Sequence, residues 1–221
     1  MKLEIPQEYQ SIGLMFSGGM DSTLLLYHLG RQYEDRDIYA VTAGSCGYVS
    51  YPVHIEFAQK AFNRVSQNLG YGAVRYHVVH YLDDRESHHC NEVMKAWDHI
   101  DCWVVGQNSA PPPGSVVVDP YNKRHDLYET CPMPHRKNTE GGVWTEQHRR
   151  PVYRPMMHMT KRDIVQNYCD NQIYHLIQHT RSCPKVWSPA EAADFVPHCG
   201  YCWWCLERKW GLEDDINQTI N

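Results

Sequence analysis

Apolar residues in this chain fall into short blocks whose period switches back and forth. Ile12 to Phe16 is an apolar run of strand length, and Leu24, Leu25, Leu26 and Leu29 follow it with helical spacing. A strand over 11–16 and a helix over 21–33 are the expectation. Ile38 to Ala43 predicts a second strand. Ile55, Ala58, Phe62 and Val65 share one face of a helix over 54–68, which Gly70 stops. A third strand is expected at 75–82, a helix at 86–97, and a fourth strand at 100–105 that ends in Gly106-Gln107-Asn108. Val152 to Met156 predicts a fifth strand. Thr160 then stands as an N-cap with Asp163 three residues on, close to a capping box, and opens another helix. Strands and helices alternating in this way predict an α/β fold, an open doubly wound parallel sheet with right-handed crossovers. With strand 1 central, about five strands in the order 3-2-1-4-5 are expected, and ligands belong beyond the carboxyl ends of strands 1 and 4.

The stretch 109–150 breaks the alternation. It carries Pro111-Pro112-Pro113-Gly114, mixed charges and histidines, with Val116-Val117-Val118 as one candidate short strand. A connection that long is either a substrate lid or hides short elements.

Between the first strand and the first helix lies Phe16-Ser17-Gly18-Gly19-Met20-Asp21-Ser22-Thr23. A Gly-rich strand-to-helix turn cradles anions because its backbone N–H groups converge and the helix start adds unpaired donors and a positive dipole end. Ser17, Ser22 and Thr23 add hydroxyls. Asp21 beside phosphate makes most sense holding a Mg²⁺ that bridges phosphate oxygens. The lysine of a Walker loop is missing, and so is the G-x-G-x-x-G of a dinucleotide turn. Thr42 and Ala43, at the end of strand 2, flank the loop and suit an adenine seat. Gly106, Gln107 and Asn108 stand where amides would orient a substrate.

Charge and composition narrow the partners. The chain has 221 residues, 42% of them hydrophobic, and a formal net charge of -5. That balance argues against a general nucleic-acid binder. No run approaches the ~18 apolar residues of a membrane span, and the N-terminus lacks an apolar signal core, so a cytoplasmic protein is expected. Nine cysteines in such a setting point to reduced thiols or metal. Cys183, Cys199, Cys202 and Cys205 offer four thiolates, the donor set of a closed tetrahedral Zn²⁺ site. A redox pair, free thiols and an iron–sulfur cluster are the alternatives.

The string Ser-Gly-Gly-x-Asp-Ser resembles the pyrophosphate loop of the N-type ATP pyrophosphatases, the PP-loop superfamily. With Thr180-Arg181-Ser182-Cys183 and Cys199-Gly-x-Cys202-x-x-Cys205-x-x-Arg208, both ends of the chain resemble 7-cyano-7-deazaguanine synthase of queuosine biosynthesis. The resemblance implies one PP-loop domain over 1–221 with an adenine nucleotide alpha hydrolase-like sheet, and a small zinc-bearing helical part at 180–212. It implies an ATP-dependent ligase that activates a deazapurine carboxylate as an acyl-adenylate, captures it with ammonia and dehydrates the amide to a nitrile. Cofactors would be ATP, Mg²⁺ and Zn²⁺, and a homodimer is compatible with this. Carried over, Phe16 to Thr23, Thr42 and Ala43 would bind ATP. Asp21, Ser22 and Lys161 would serve the chemistry, and Arg208 with Gly106, Gln107 and Asn108 would hold the substrate. The family's Pro-Asp-Cys-Arg segment after strand 4 has no counterpart here, where the chain reads Gln107 to Pro113, so the acid itself stays open.

Two other classes compete. One is another adenylating enzyme of this superfamily, transferring an amide or sulfur to a different base or carboxylate, for which Cys46 is the early thiol. The other is a non-catalytic nucleotide- or partner-binding module, with Trp203, Trp204 and Trp210 as stacking residues.

Overall fold

The computed structural model describes residues 1–45, 51–70, 72–82, 89–112, 143–147, 149–183, 198, 200 and 202–218, except the side chains at 45, 51–53, 82, 89–91 and 214–218. Cys46, Cys199 and the candidate strand 116–118 lie outside the described residues.

Strands β1 (Ser11–Met15), β2 (Asp37–Ser45), β3 (Tyr76–Leu82) and β4 (Cys102–Val105) alternate with helices α1 (Met20–Gln32), α2 (Tyr51–Leu69) and α3 (His89–Ala96). There follow β5 (Trp144–Gln147), β6 (Arg150–Tyr153), α4 (Lys161–Asp170), a 3-10 helix over Tyr174–His179 and α5 (Trp203–Gln218). The sheet has six strands in the order β3-β2-β1-β4-β6-β5. All neighbours pair in parallel except β5 with β6. The expected order 3-2-1-4-5 is therefore present, with β6 as its fifth member and β5 added at the edge. The period-2 signal in β5 is faint because its residues, Trp144 apart, are polar and none is fully buried.

Alternation along the strands sends side chains to two faces, and both faces are covered. Ile12, Leu14, Ile38, Ala40, Cys102, Val104 and Tyr153 join one core with α1, α2 and α4. Val41, Trp103 and Val152 join a second core with Val93 and Met94 of α3. Helices on both faces make the sheet doubly wound. Helix α1 is enclosed almost all round, with Leu24, Leu25, Leu26 and Leu29 all at 0% exposure. Truncating any one to alanine in such a setting costs about 2–5 kcal/mol.

Helix α4 begins with the capping box that its sequence predicts. Thr160 accepts from the Asp163 amide, and the Asp163 carboxylate accepts from the Thr160 amide at 2.7 Å. Helix α5 packs against α4. No helix among the described residues is long and apolar enough to cross a membrane.

Candidate active site

Strand order reverses at β1, with β2 on one side and β4 on the other. A cleft of about 630 Å³ opens at the ends of these three strands. Its floor is the turn after β1. Gly18 has φ +70, and a Cβ there would stand 2.7 Å from the Ala58 Cα, so only glycine lets this turn lie against α2. Gly19 is the N-cap of α1 and offers no side-chain cap, which leaves the first amides of the helix without an internal acceptor at the cleft. The turn closes on its own hydroxyls. Gly19 N donates to Ser17 Oγ at 3.3 Å, Ser17 N donates to Ser22 Oγ at 3.3 Å, and the Ser22 hydroxyl donates to the Gly19 carbonyl at 3.2 Å. These contacts are long for their type, and an anion accepting from the same amides would replace them with stronger, charge-assisted ones. Beneath the turn, the wholly buried Tyr168 donates its hydroxyl to the Met20 carbonyl at 2.7 Å. Burial drives that phenol well above its ordinary pKa, so it remains a donor.

Lys161 comes from the first position of α4, where the helix dipole opposes a cation. Asp21 offsets that. Lys161 Nζ donates to Asp21 Oδ1 at 2.5 Å, with the lysine 4% and the aspartate 18% exposed. Gly211 of α5 makes room for the lysine stem, since a Cβ there would stand 2.7 Å from Lys161 Cγ. Both members of the pair line the cleft. So do Phe16, Ser17, Gly19, Met20, Ser22, Thr42, Ala43, Gly106, Gln107 and Asn108. The Thr42 hydroxyl is turned inward, donating to the Phe16 carbonyl at 2.8 Å and meeting His77 Nε2 at 2.8 Å.

Three of the expected residues lie off this lining. Gly18 faces α2, and Thr23 is buried at 1% exposure. Arg208 is buried behind the cleft, donating to Thr180 Oγ1 at 2.7 Å and to the Ile177 carbonyl at 2.6 Å. It holds the end of the 3-10 helix, and the structure gives it no contact with the cleft.

Four residues to which the sequence assigned no place in the nucleotide or substrate site complete the walls. Arg181, Ser182, His54 and Trp204 all line the cleft. The Arg181 amide donates to the Gly18 carbonyl at 2.9 Å, and its guanidinium lies 5.3 Å from the Phe57 ring. The signal for Arg181 was its place two residues before a ligand-type cysteine. Burial lowers His54 to about 4, Arg181 adds to the effect, and Cys183 opposes it.

The thiols gather directly behind this wall. Cys183, Cys202 and Cys205 are buried, with their sulfurs within 4.8 Å of one another. Cys202 and Cys183 are 3.9 Å apart, and His198 Nδ1 stands 3.8 Å from Cys205 at the rim of the set. A tetrahedral ion with metal–sulfur bonds of about 2.3 Å separates its sulfurs by roughly 3.8 Å. The donor set thus fits one thiophilic ion. Donation of the Cys205 thiol to Cys183, with burial adding to it, raises Cys205 to about 12, and a divalent cation would reverse that.

No protein-family model matches the chain. No curated protein matches it either. Among solved structures it is similar to the "U34-tRNA thiolase NcsA from Methanococcus maripaludis with its [4Fe-4S] cluster". The two are 12% identical, the match covers 96% of this chain and 74% of that one, and the TM-score is 0.47. At that level neither the cluster nor the tRNA carries over to this chain.

Proposed function

We propose that the protein is an ATP-dependent adenylating enzyme that splits ATP between its α- and β-phosphates. The observation that carries this is convergence. Helix-start amides, Ser17, Ser22, Lys161 and Arg181 all border a single cleft at the sheet's switch point. The β- and γ-phosphates would lie on the turn, with adenine against the backbone of Thr42 and Ala43. Asp21 would hold Mg²⁺, which supplies charge neutralisation for the departing pyrophosphate. An oxygen of the acceptor attacks the α-phosphorus in line, the bond to the bridging oxygen breaks, and pyrophosphate leaves with its electron pair. Preorganised donors aimed at that charge are the main contribution of the protein.

For the acceptor, the motifs favour a deazapurine carboxylate. Its acyl-adenylate would be captured by ammonia, and a second activation would dehydrate the amide to a nitrile. Cys183, Cys202 and Cys205, completed by Cys199 or His198, would hold Zn²⁺ and fix the wall that carries Arg181. The test is pyrophosphate release from ATP with 7-carboxy-7-deazaguanine and ammonium, read together with product mass. Release with a nitrile or amide product supports the reading, and no release in the presence of bound ATP sinks this acceptor.

One feature favours a second reading, the transfer of sulfur or an amine to a different base or carboxylate. The thiols stand immediately behind the cleft wall, because Arg181 and Ser182 line the cleft and Cys183 follows them. A product heavier by sulfur would choose it.

A further inference from the structure

A second cavity, a groove of about 500 Å³, lies between α2 and the 3-10 helix and shares no lining residue with the cleft. Lys60 and Arg64 of α2 and His179 of the 3-10 helix line it, and no carboxylate does so among the described residues. In a chain of net charge -5 that is a local reversal of sign. Lys60 is partly neutralised, since its Nζ stands 2.7 Å from the exposed Glu56. Arg64 has no acidic partner among the described residues, and its Nη1 donates to Gln67 Oε1 at 3.2 Å. Burial lowers His179 from its ordinary value, and Arg64 and His175 push it the same way.

The neutral lining residues suit the same kind of guest. Asn63 Oδ1 accepts from Gln59 Nε2 at 2.9 Å, and Gln67 Oε1 accepts from Arg64. Both carbonyl ends are occupied, so each amide has its NH₂ to offer. An oxyanion only accepts, and that is the end it needs. Donors here come from two elements of the fold. A tetrahedral phosphate takes donors from several directions at once, whereas a carboxylate takes them in one plane. The volume is that of a small-molecule site rather than of a bare ion. Phe57 joins the groove to its neighbour. Its ring centroid lies 5.5 Å from Lys60 Nζ and 5.3 Å from the guanidinium of Arg181, which lines the cleft.

We propose that this groove binds a phosphate-bearing small molecule, as a second anion site beside the cleft and outside it. Arg64 makes the principal charge-assisted contact, Lys60 and His179 flank it, and the Asn63 and Gln67 amides donate to the remaining oxygens. Glu56 competes with the ligand for Lys60. The proposal does not rest on the adenylation reading.

NMR of the histidine ring protons at constant pH tests it, with His179 assigned through His179→Gln. Inorganic phosphate and AMP are the probes, and sodium acetate and sodium chloride at matched ionic strength are the controls. Both probes should shift the His179 resonance saturably. Tighter binding of AMP identifies a nucleotide as the guest, equal or weaker binding a bare phosphate group, and either supports the site. Arg64→Gln should weaken binding at least tenfold, the scale of one lost charge-assisted hydrogen bond. Glu56→Gln should tighten it up to about fivefold by releasing Lys60. Both substituted residues are exposed, so the fold should tolerate the changes. Ser22→Ala, in the phosphate turn of the cleft, should leave the His179 response unchanged. No saturable shift in wild type overturns the proposal, and so does the same shift with acetate or chloride. Affinity within twofold of wild type in Arg64→Gln overturns it too, as does loss of the response in Ser22→Ala, which would place the phosphate in the cleft.

Discussion

Lys161 Nζ reaches Asp21 Oδ1 at 2.5 Å, joining residues 140 positions apart in sequence at the rim of the cleft. The lysine stands at a helix start, the aspartate one residue into another, and neither helix alone explains its partner. The pair ties the phosphate turn to the C-terminal half of the fold.

Removing either member should therefore be felt twice. Asp21→Asn should lower pyrophosphate release at least 100-fold, the usual scale for one lost electrostatic group at a phosphoryl centre. It also strands a buried lysine charge, at a cost of roughly 3 kcal/mol or less because Asp21 is partly exposed. Lys161→Met should lower turnover similarly and cost less stability. Turnover per folded molecule, with thermal melts alongside, separates the two effects. Unchanged turnover in Asp21→Asn removes that residue from the chemistry.

Gly18→Ala should be far worse than Gly70→Ala. Both glycines have positive φ, +70 and +87, which costs an L-residue about 1–2 kcal/mol. At Gly70 a new Cβ meets nothing within 4 Å, whereas at Gly18 it meets the backbone of Ala58 at 2.7 Å. Gly18→Ala must displace the turn or α2, and should abolish nucleotide binding measured calorimetrically. Gly70→Ala should bind nucleotide normally.

Metal removal should reach the nucleotide. Arg181 bonds Gly18 through its backbone, and Cys183 is two residues away. Chelation, or Cys183→Ser, should drop metal below about half an equivalent and speed amide hydrogen exchange at 180–183 and at the turn after β1. ATP affinity should fall with it. Freshly reduced wild-type protein containing no metal by elemental analysis would count against the site.

Acid should destabilise the protein through two histidines, the buried His28 and the half-buried His77. Burial lowers both His28 and His77 to about 4, against 6.5 when exposed. Between those values the unfolded chain binds more protons than the fold. Stability therefore rises with pH through the window, is complete above about 6.5, and is lost as pH falls toward 4. His77→Gln should flatten part of the melting-temperature change between pH 7 and pH 5. An identical slope in that variant would mean that His77 is not protonated on unfolding in this range.

Much of the sheet was legible because its signal is local. Ile12, Leu14, Ile38 and Ala40 sit in dense apolar runs, and β1 and β2 are observed where those runs lie. The α4 capping box is likewise written in Thr160 and Asp163. β5 was not legible. Trp144 is stacked on Tyr153 at 4.5 Å, a cross-strand contact that exists only once the hairpin is paired. Helix α5 was expected only in outline, as the zinc-bearing helical part that the resemblance implies at 180–212, and its bounds were not legible because the cysteines and tryptophans at its start carry no clear helical period.

The sequence by itself determined the Gly-rich turn, the alternation that makes the sheet parallel, and the donor type at the thiol site, because each depends on neighbours a few residues apart. Only the tertiary structure decided which side chains share the cleft. It put Lys161 on Asp21 and Arg181 against Gly18, it set Trp204 apart from its two neighbours, and it buried Arg208 behind the wall. Those outcomes depend on how helices from distant parts of the chain pack on the sheet, and spacing along the chain carries no record of that.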